Sequence, residues 1–444
     1  MRRGRVPWTP AFHLSLGDET AMREPAELLP PQSLDFLDFL RRAVFAVVIG
    51  LLVGIVGVAF HYGIDFVTEL RQAHPRLILL LPVGGLSIIL LYRTCGMEKD
   101  RGTNLVLVAV REHEPMKLRT APLIFLSTVI THLVGGSAGR EGAALQLGAS
   151  ISNKIAHRLG VEPEEGRMLT VCGMAAAFSA LFGTPLTAAI FALEVVHVGI
   201  IQYAALVPAF LSSLTGFLLA GYLGVPPTAY TISGLPVLSP LALVQVVVMG
   251  GLCAALSVLF CKVMHGTGRL YAKYLPDARV RAVAGFIMIG LSLLDGGLSD
   301  QVYNGAGGNL VQAAVTGNGA GVEPWGFLVK IVFTALTLGA GFRGGEIVPT
   351  FACGATFGCV AGPLIGLSPS FGGALGTVAA FCGVTNCPLS SILLAYELFG
   401  GGGLPLFALA IAVSYRLSGY TGLYSEQQIV YSKRTPHQID KKAE

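Results

Sequence analysis

Apolar stretches of spanning or near-spanning length recur from Val44 to Tyr415, and glycine interrupts most of them. They are Val44–His61, Leu77–Leu91, Leu169–Val195, Ile200–Leu223, Leu241–Phe260, Ala282–Leu294, Phe327–Gly341, Phe371–Leu398 and Leu404–Tyr415. About 20 helical residues are needed to cross the hydrocarbon of a bilayer. Several stretches are shorter than that, and Phe371–Leu398 is long enough for two short helices. Backbone groups in lipid must be satisfied internally, so broken helices stand only where protein or a water-filled cavity covers them. With 53 % hydrophobic residues, 13 % charged residues and 57 glycines, the pattern calls for an all-α integral membrane protein of short, tilted and broken helices. It excludes a soluble core of this size, which would need many more polar residues to clothe it.

The ends differ from the middle. Residues 1–36 mix Pro, Arg, Asp and Glu with no long apolar run, and are expected to be a polar, cytosolic tail rather than a signal peptide. Leu34–Phe39 can form a short amphipathic helix leading into the first span. Residues 432–444 are expected to be a second polar tail, with no soluble regulatory domain beyond it. Basic pairs at Arg41–Arg42, Arg279–Arg281 and Lys433–Arg434 flank candidate spans, which fits cytoplasmic ends under the positive-inside rule. The eight cysteines mostly lie in apolar runs and read as small buried hydrophobes, since no spacing matches a metal or haem site.

The membrane part repeats itself, as residues 37–232 and 233–431. Ala176–Glu194 (AAFSALFGTPLTAAIFALE) and Ala379–Glu397 (AAFCGVTNCPLSSILLAYE) share Ala-Ala-Phe, Pro-Leu, a late Ala and a terminal Glu without a gap. Upstream of each lies a Gly-rich turn holding a glutamate, GREG at Gly139–Gly142 and GGEIVP at Gly344–Pro349. Interrupted apolar segments in corresponding positions of two halves point to a binding site near the bilayer midplane. The residues leave open whether the repeats are parallel or inverted.

The charged turns carry the chemistry. An ionisable residue at membrane depth is a functional-site hypothesis by default. A Gly-rich turn opening a helix presents unpaired N–H groups and the positive end of the dipole, and so binds anions. Gly102–Val106 (GTNLV), Gly139–Gly142 and Gly344–Pro349 all have this form. Thr103 and Tyr424 offer hydroxyl donors. Ionised Glu141 can occupy an anion's place; protonated, it is neutral and can leave, which makes one side chain both gate and proton carrier. The alternatives are plainer: Glu141 ion-paired to Arg140, Thr103 as a helix cap, Tyr424 in an interfacial aromatic belt. Glu194 and Glu397 read as helix-end residues facing cytosol or a polar cavity. His132 and His197 read as packing residues, and Pro185 and Pro388 as kink or first-turn positions.

At these residues the chain resembles the CLC family of chloride channels and proton-coupled anion antiporters. The resemblance spans about residues 37–432 and rests on GREG at Gly139–Gly142, the Pro-Leu helix in Phe178–Glu194, the Gly-Gly-x-x-x-Pro turn at Gly344–Pro349 and the pore tyrosine Tyr424. It implies the CLC fold of two inverted repeats and a homodimer with one pore per subunit. It makes Glu141 the external gating glutamate. The central anion site becomes the amides of Ile347 and Val348 with Tyr424, joined by Thr103, Asn104, Gly139, Arg140 and Gly142. The departures are informative. The family's Gly-Ser-Gly-x-Pro is GTNLV here, Ala143 follows GREG, and Val195 stands where many antiporters have an inner proton-transfer glutamate. Glu346 replaces an apolar residue and is expected to handle protons in its stead. Asn104, Glu346 and the ending GLYSEQQIVYSK (Gly422–Lys433) resemble the bacterial fluoride-exporting branch, in which the position of Val348 is often Thr. The expected function is proton-coupled fluoride export across a bacterial inner membrane, with chloride transport by a channel or Cl−/H+ antiporter as the alternative. The expected partners are an anion (fluoride or chloride), protons, lipid and a second copy of the chain, with no cofactor and no nucleic acid. An intramembrane enzyme would need a nucleophile–base pair or a metal cluster, and no such motif is present.

Overall fold

A computed structural model describes residues 32–98, 100–112, 114–283, 286–294, 301–435 and 437–444. Met1–Arg41 and Arg42–Glu444 are separate units. Of the first, residues 32–41 are helical and Leu34–Phe39 lies within that helix, while the rest of the expected tail lies outside the described residues.

The first half contains α1 (Gln32–Ala73), α2 (Leu81–Thr94), α3 (Thr103–Glu112), α4 (Thr120–Leu133), α5 (Glu141–Leu159), α6 (Pro163–Phe182), α7 (Pro185–Glu194) and α8 (Leu206–Tyr222). The second contains α9 (Pro240–Tyr274), α10 (Ala278–Val283), α11 (Phe286–Leu294), α12 (Gly308–Val315), α13 (Gly326–Gly339), α14 (Ile347–Leu364), α15 (Pro369–Thr385), α16 (Pro388–Phe399) and α17 (Leu404–Leu417). Among the described residues, five helical segments are long and apolar enough to cross a membrane, and five apolar helices have 10–17 residues. The apolar run Phe371–Leu398 does split in two, at Asn386, whose φ of 60° ends α15 before Pro388 opens α16. Proline is tolerated there because a first-turn residue has no intrahelical N–H bond to lose.

The matching halves pack alike. α5 lies on α6 and α14 lies on α15, with glycine at the crossings. A methyl group on Gly148 would sit 2.1 Å from the Gly173 carbonyl oxygen, and one on Gly354 would sit 2.2 Å from that of Gly376. Small residues let helix backbones approach to such contact, the main source of helix association in lipid. These four helices are almost wholly buried, whereas α1, α2, α8 and α9 show leucine, valine and phenylalanine outward, as a lipid-facing shell should.

The handedness of the repeat follows from two side chains. Glu194 ends α7, and its carboxylate accepts the N–H groups of Leu389 and Ser390 at 3.1 and 2.9 Å, where α16 begins. Glu397 lies near the end of α16 and accepts those of Leu186 and Thr187, both at 2.8 Å, where α7 begins. Each helix end thus caps the start of its counterpart, so α7 and α16 are antiparallel and the repeats inverted. Both glutamates stand at helix ends, as expected; Glu194 is buried rather than facing cytosol or a polar cavity, Glu397 is half-buried, and each carboxylate sits on a helix N-terminus.

The C-terminal residues carry regular structure of their own. Strand β2 (Gln428–Tyr431) pairs in parallel with β1 (His197–Val198) and antiparallel with β3 (Gln438–Lys442). Within the expected polar tail, Gln438–Lys442 is therefore held in this sheet, and Glu444 N–H donates to the Tyr420 carbonyl. His197 sits in this sheet. Lys433 is buried rather than flanking a span, and it donates to Asn386 Oδ1 and Ser418 Oγ.

Candidate functional site

Three helices begin at one place. The GREG and GGE turns meet as a two-residue antiparallel bridge: Gly139 N–H donates to Gly345 O at 2.6 Å, and Gly345 N–H to Gly139 O at 2.7 Å. The bridge aims the N-terminus of α5, opened by Glu141, and that of α14, which follows Glu346, at the same interior point. The approach leaves no room for side chains. A methyl group on Gly142 would lie 3.0 Å from Gly345 Cα, 3.4 Å from Thr103 Oγ1 and 3.6 Å from Glu346 Oε2. Thr103, the first residue of α3, thereby brings a third helix N-terminus to the same spot.

The polar groups there are buried and only partly satisfied. Glu141 is fully buried, and its Oε2 accepts the Arg140 N–H at 3.0 Å. Its Oε1 has no hydrogen-bond partner among the described residues, with the Arg140 guanidinium 3.8 Å away. Glu346 Oε2, the Tyr424 hydroxyl and Gln146 Oε1 are likewise buried without partners among those residues. Buried polar atoms are nearly always hydrogen-bonded, so these exceptions stand out where three helix N-termini converge. A cavity of about 470 Å³ opens onto it, lined by Glu141, Val348, Arg140, His132, Arg71 and Asn304 among others.

The voltage gated chloride channel family matches residues 84–419. The chain belongs to that family. This CLC-family chain is 34 % identical over 411 residues to a chloride/fluoride channel protein of Pseudomonas syringae pv. tomato, covering 91 % of the chain and 90 % of the relative. Its fold matches the crystal structure of a CLC-type fluoride/proton antiporter with a TM-score of 0.84 at 31 % identity, over 88 % of this chain and 98 % of that one. A slow cyanobacterial Cl−/H+ antiporter, 18 % identical, shares the fold with a TM-score of 0.72 over 85 % and 94 % of the two chains. The CLC-type, two-repeat helical fold expected above is therefore the fold of this chain, which is an integral membrane protein for anion transport and not an enzyme.

Within this CLC-family fold the sequence-derived residues separate into groups. Glu141, Gly139, Gly142, Glu346, Ile347, Val348 and Thr103 come together around the bridge. Tyr424 is buried rather than interfacial, in the loop between α17 and β2. Arg140 faces away from the bridge but not from Glu141: its Nη1 donates to Asp65 Oδ1 at 3.1 Å and lies 3.0 Å from His61 Nδ1, while its Nε stays 3.8 Å from Glu141 Oε1, so its guanidinium forms cavity wall beside that carboxylate. Asn104 also turns away, its Oδ1 accepting the Glu426 N–H at 3.0 Å and so holding the tyrosine loop against α3. His132 is bonded on one side only: its Nδ1 is 2.9 Å from Thr128 O, and its Nε2 has no partner among the described residues.

Three supporting residues escaped the sequence reading. Gln146 Nε2 donates to Thr103 Oγ1 at 3.2 Å and sits one turn after Gly142, a spacing that names it as a neighbour once the helix is known. Gln427 is fully buried and donates to the carbonyls of Val195 and Thr385 at 2.9 and 2.7 Å, pinning the loop that carries Tyr424. Lys330 is a fully buried cation that donates to Ser137 Oγ, Tyr303 O and Gly305 O at 3.0, 2.9 and 2.7 Å, bracing the segment before GREG. Its signal was a lone lysine in an apolar run.

Proposed function

We propose that this chain is a fluoride/proton antiporter of a bacterial plasma membrane, working as a homodimer with one pore per subunit and exporting fluoride as protons enter. The observation that carries the reading is the pair of carboxylates, buried Glu141 and half-buried Glu346, each with a buried oxygen that has no hydrogen-bond partner among the described residues, set on opposed helix N-termini around Gly142. Ionised Glu141 fills the anion's place at the head of α5. Protonation removes its charge, frees the N–H groups and lets an anion take the position, so anion and proton move in opposite directions through one exchange. Glu346 relays the proton in place of the acid that Val195 lacks.

The anion follows from the donors. Fluoride is small, strongly hydrated and basic, so a site that strips its water must offer close, strong donors. Thr103 Oγ1, the Tyr424 hydroxyl and protonated Glu346 are of that kind, together with the α14 amides of Ile347 and Val348. Asn104 was expected among the donors and acts indirectly, through its hold on Glu426. The relatives named for fluoride support the same choice.

A second reading, chloride transport by the same machinery, is favoured by the apolar side chains of Ile347 and Val348, which suit a larger and less hydrated anion. Ion-selective electrodes on proteoliposomes separate the two. Fluoride release should be at least ten-fold faster than chloride release and should carry protons in the opposite direction. Chloride release as fast as fluoride would leave a chloride-type transporter.

A further inference from the structure

The Arg279–Arg281 pair, taken from the sequence only as a marker of a span end, lines a second cavity. It measures about 510 Å³ and lies between α2, α10 and the end of α13. Its basic lining is Arg93, Arg279, Arg281 and Arg343, with the acids Glu98 and Asp277 among them, and its apolar lining includes Ile88, Ile89 and Leu338. We propose that this cavity binds the headgroup phosphate of an anionic phospholipid, with the lipid's acyl chains on the apolar wall.

The acids nearby do not quench the site. Asp100 is taken by Arg343 at 3.5 Å, and the Arg343 guanidinium lies over the Tyr92 ring at 4.4 Å from its centroid. Among the described residues Glu98 pairs with Arg93 at 3.5 Å, and both side chains are more than half exposed, where such pairs are weak. Asp277 gives a carboxylate oxygen to the Arg279 backbone N–H at 2.8 Å. Arg281 keeps a buried Nε with no hydrogen-bond partner among the described residues. A guanidinium fork matches a phosphate and is the least hydrated cation a protein can offer it. Basic pockets between transmembrane helices bind anionic headgroups in this way.

The apolar wall decides between a lipid and a soluble phosphate. Ile89 and Leu338 are half-buried on apolar helices over buried Ile88, and Leu90 of α2 with Phe286 and Ile287 of α11 are exposed. A soluble anion gains nothing from that wall, while a phospholipid uses both. The cavity also touches the segment Gly339–Arg343, which leads directly into the Glu346 turn.

Native mass spectrometry of the full chain in detergent tests this with phosphatidylglycerol, phosphatidylcholine and inorganic phosphate as probes. One phosphatidylglycerol per chain should stay bound, at least ten-fold more tightly than phosphatidylcholine. Each arginine near a membrane surface contributes about five-fold in lipid affinity, so Arg279→Gln with Arg281→Gln should weaken phosphatidylglycerol about thirty-fold. Lys154→Gln with Arg158→Gln, elsewhere on the surface, should not weaken it. Ile89→Asp keeps the arginines and should weaken it by repulsion, should the arginine pair prove needed for folding. Equal binding of the two lipids, phosphatidylglycerol affinity unchanged in both cavity variants, or displacement of the lipid by millimolar inorganic phosphate would overturn the proposal.

Discussion

At the residue scale, the site is built from small differences in what a side chain is allowed to be. Gly142 has Gly345, Thr103 Oγ1 and Glu346 Oε2 around the place a side chain would fill. Gly142→Ala should therefore cut anion flux by about ten-fold or more, because transition through the site tolerates little displacement of its donors. Flux from vesicles, set against an unchanged melting temperature, checks it. Glu141→Gln copies the protonated gate. It should abolish proton movement, and Glu141→Ala should leave uncoupled anion flow. Proton pumping at the native rate by Glu141→Gln vesicles under an anion gradient would reject the gate. The residue types at these positions were readable in the sequence, since charge among glycines is costly in lipid and stands out. What each polar atom touches was not: Arg140 and Glu141 are neighbours in the chain, yet one guanidinium turns to Asp65 while the carboxylate turns inward.

At the element scale, helix ends do most of the electrostatic work. The exchange of caps between α7 and α16 uses charge-assisted hydrogen bonds, and losing one carboxylate leaves buried N–H groups poorly paired. Glu194→Gln or Glu397→Gln should each cost about 1–3 kcal/mol of stability. Thermal unfolding in detergent should show the loss with anion preference unchanged; a loss of coupling instead would move these residues into the transport path. The C-terminal hairpin carries a pH dependence outside the membrane. Lys442, hydrogen-bonded to Glu426, holds its carboxyl below the usual carboxylate value of 4.5. A carboxyl lowered in the folded state stabilises above its unfolded value and loses that contribution as pH falls through the folded one. The β2–β3 attachment should therefore loosen as pH drops below about 4.5. Hydrogen exchange at Gln428–Tyr431 should show this, and Lys442→Ala should flatten the dependence.

At the scale of the whole molecule, inversion of the repeat is what brings two acids to one point. Each half supplies one Gly-Glu turn, and the antiparallel arrangement makes the turns meet head to head across the Gly139–Gly345 bridge. Glu346→Gln should lose proton coupling while the protein stays folded in the same oligomeric state as the unsubstituted chain, as measured by vesicle pH recording and by light scattering of the purified protein. An unchanged proton-to-anion ratio would reject its role. By itself the sequence determined the membrane class, the short broken helices, the two-fold repeat and the glutamates in the glycine turns. These are local or periodic properties, set by hydrophobic run length, by proline and glycine, and by the cost of a charge in lipid. The inverted orientation of the repeats, which the sequence carried only through the family resemblance, is fixed by contacts in the tertiary structure, and only that structure decided that Glu194 and Glu397 cap each other's helices, that Gln438–Lys442 pairs with Gln428–Tyr431, and that Gln146, Gln427 and Lys330 brace the site. Each of those depends on contacts between residues far apart in the chain, where hydrogen bonds are chosen by geometry and no spacing in the sequence encodes the partner.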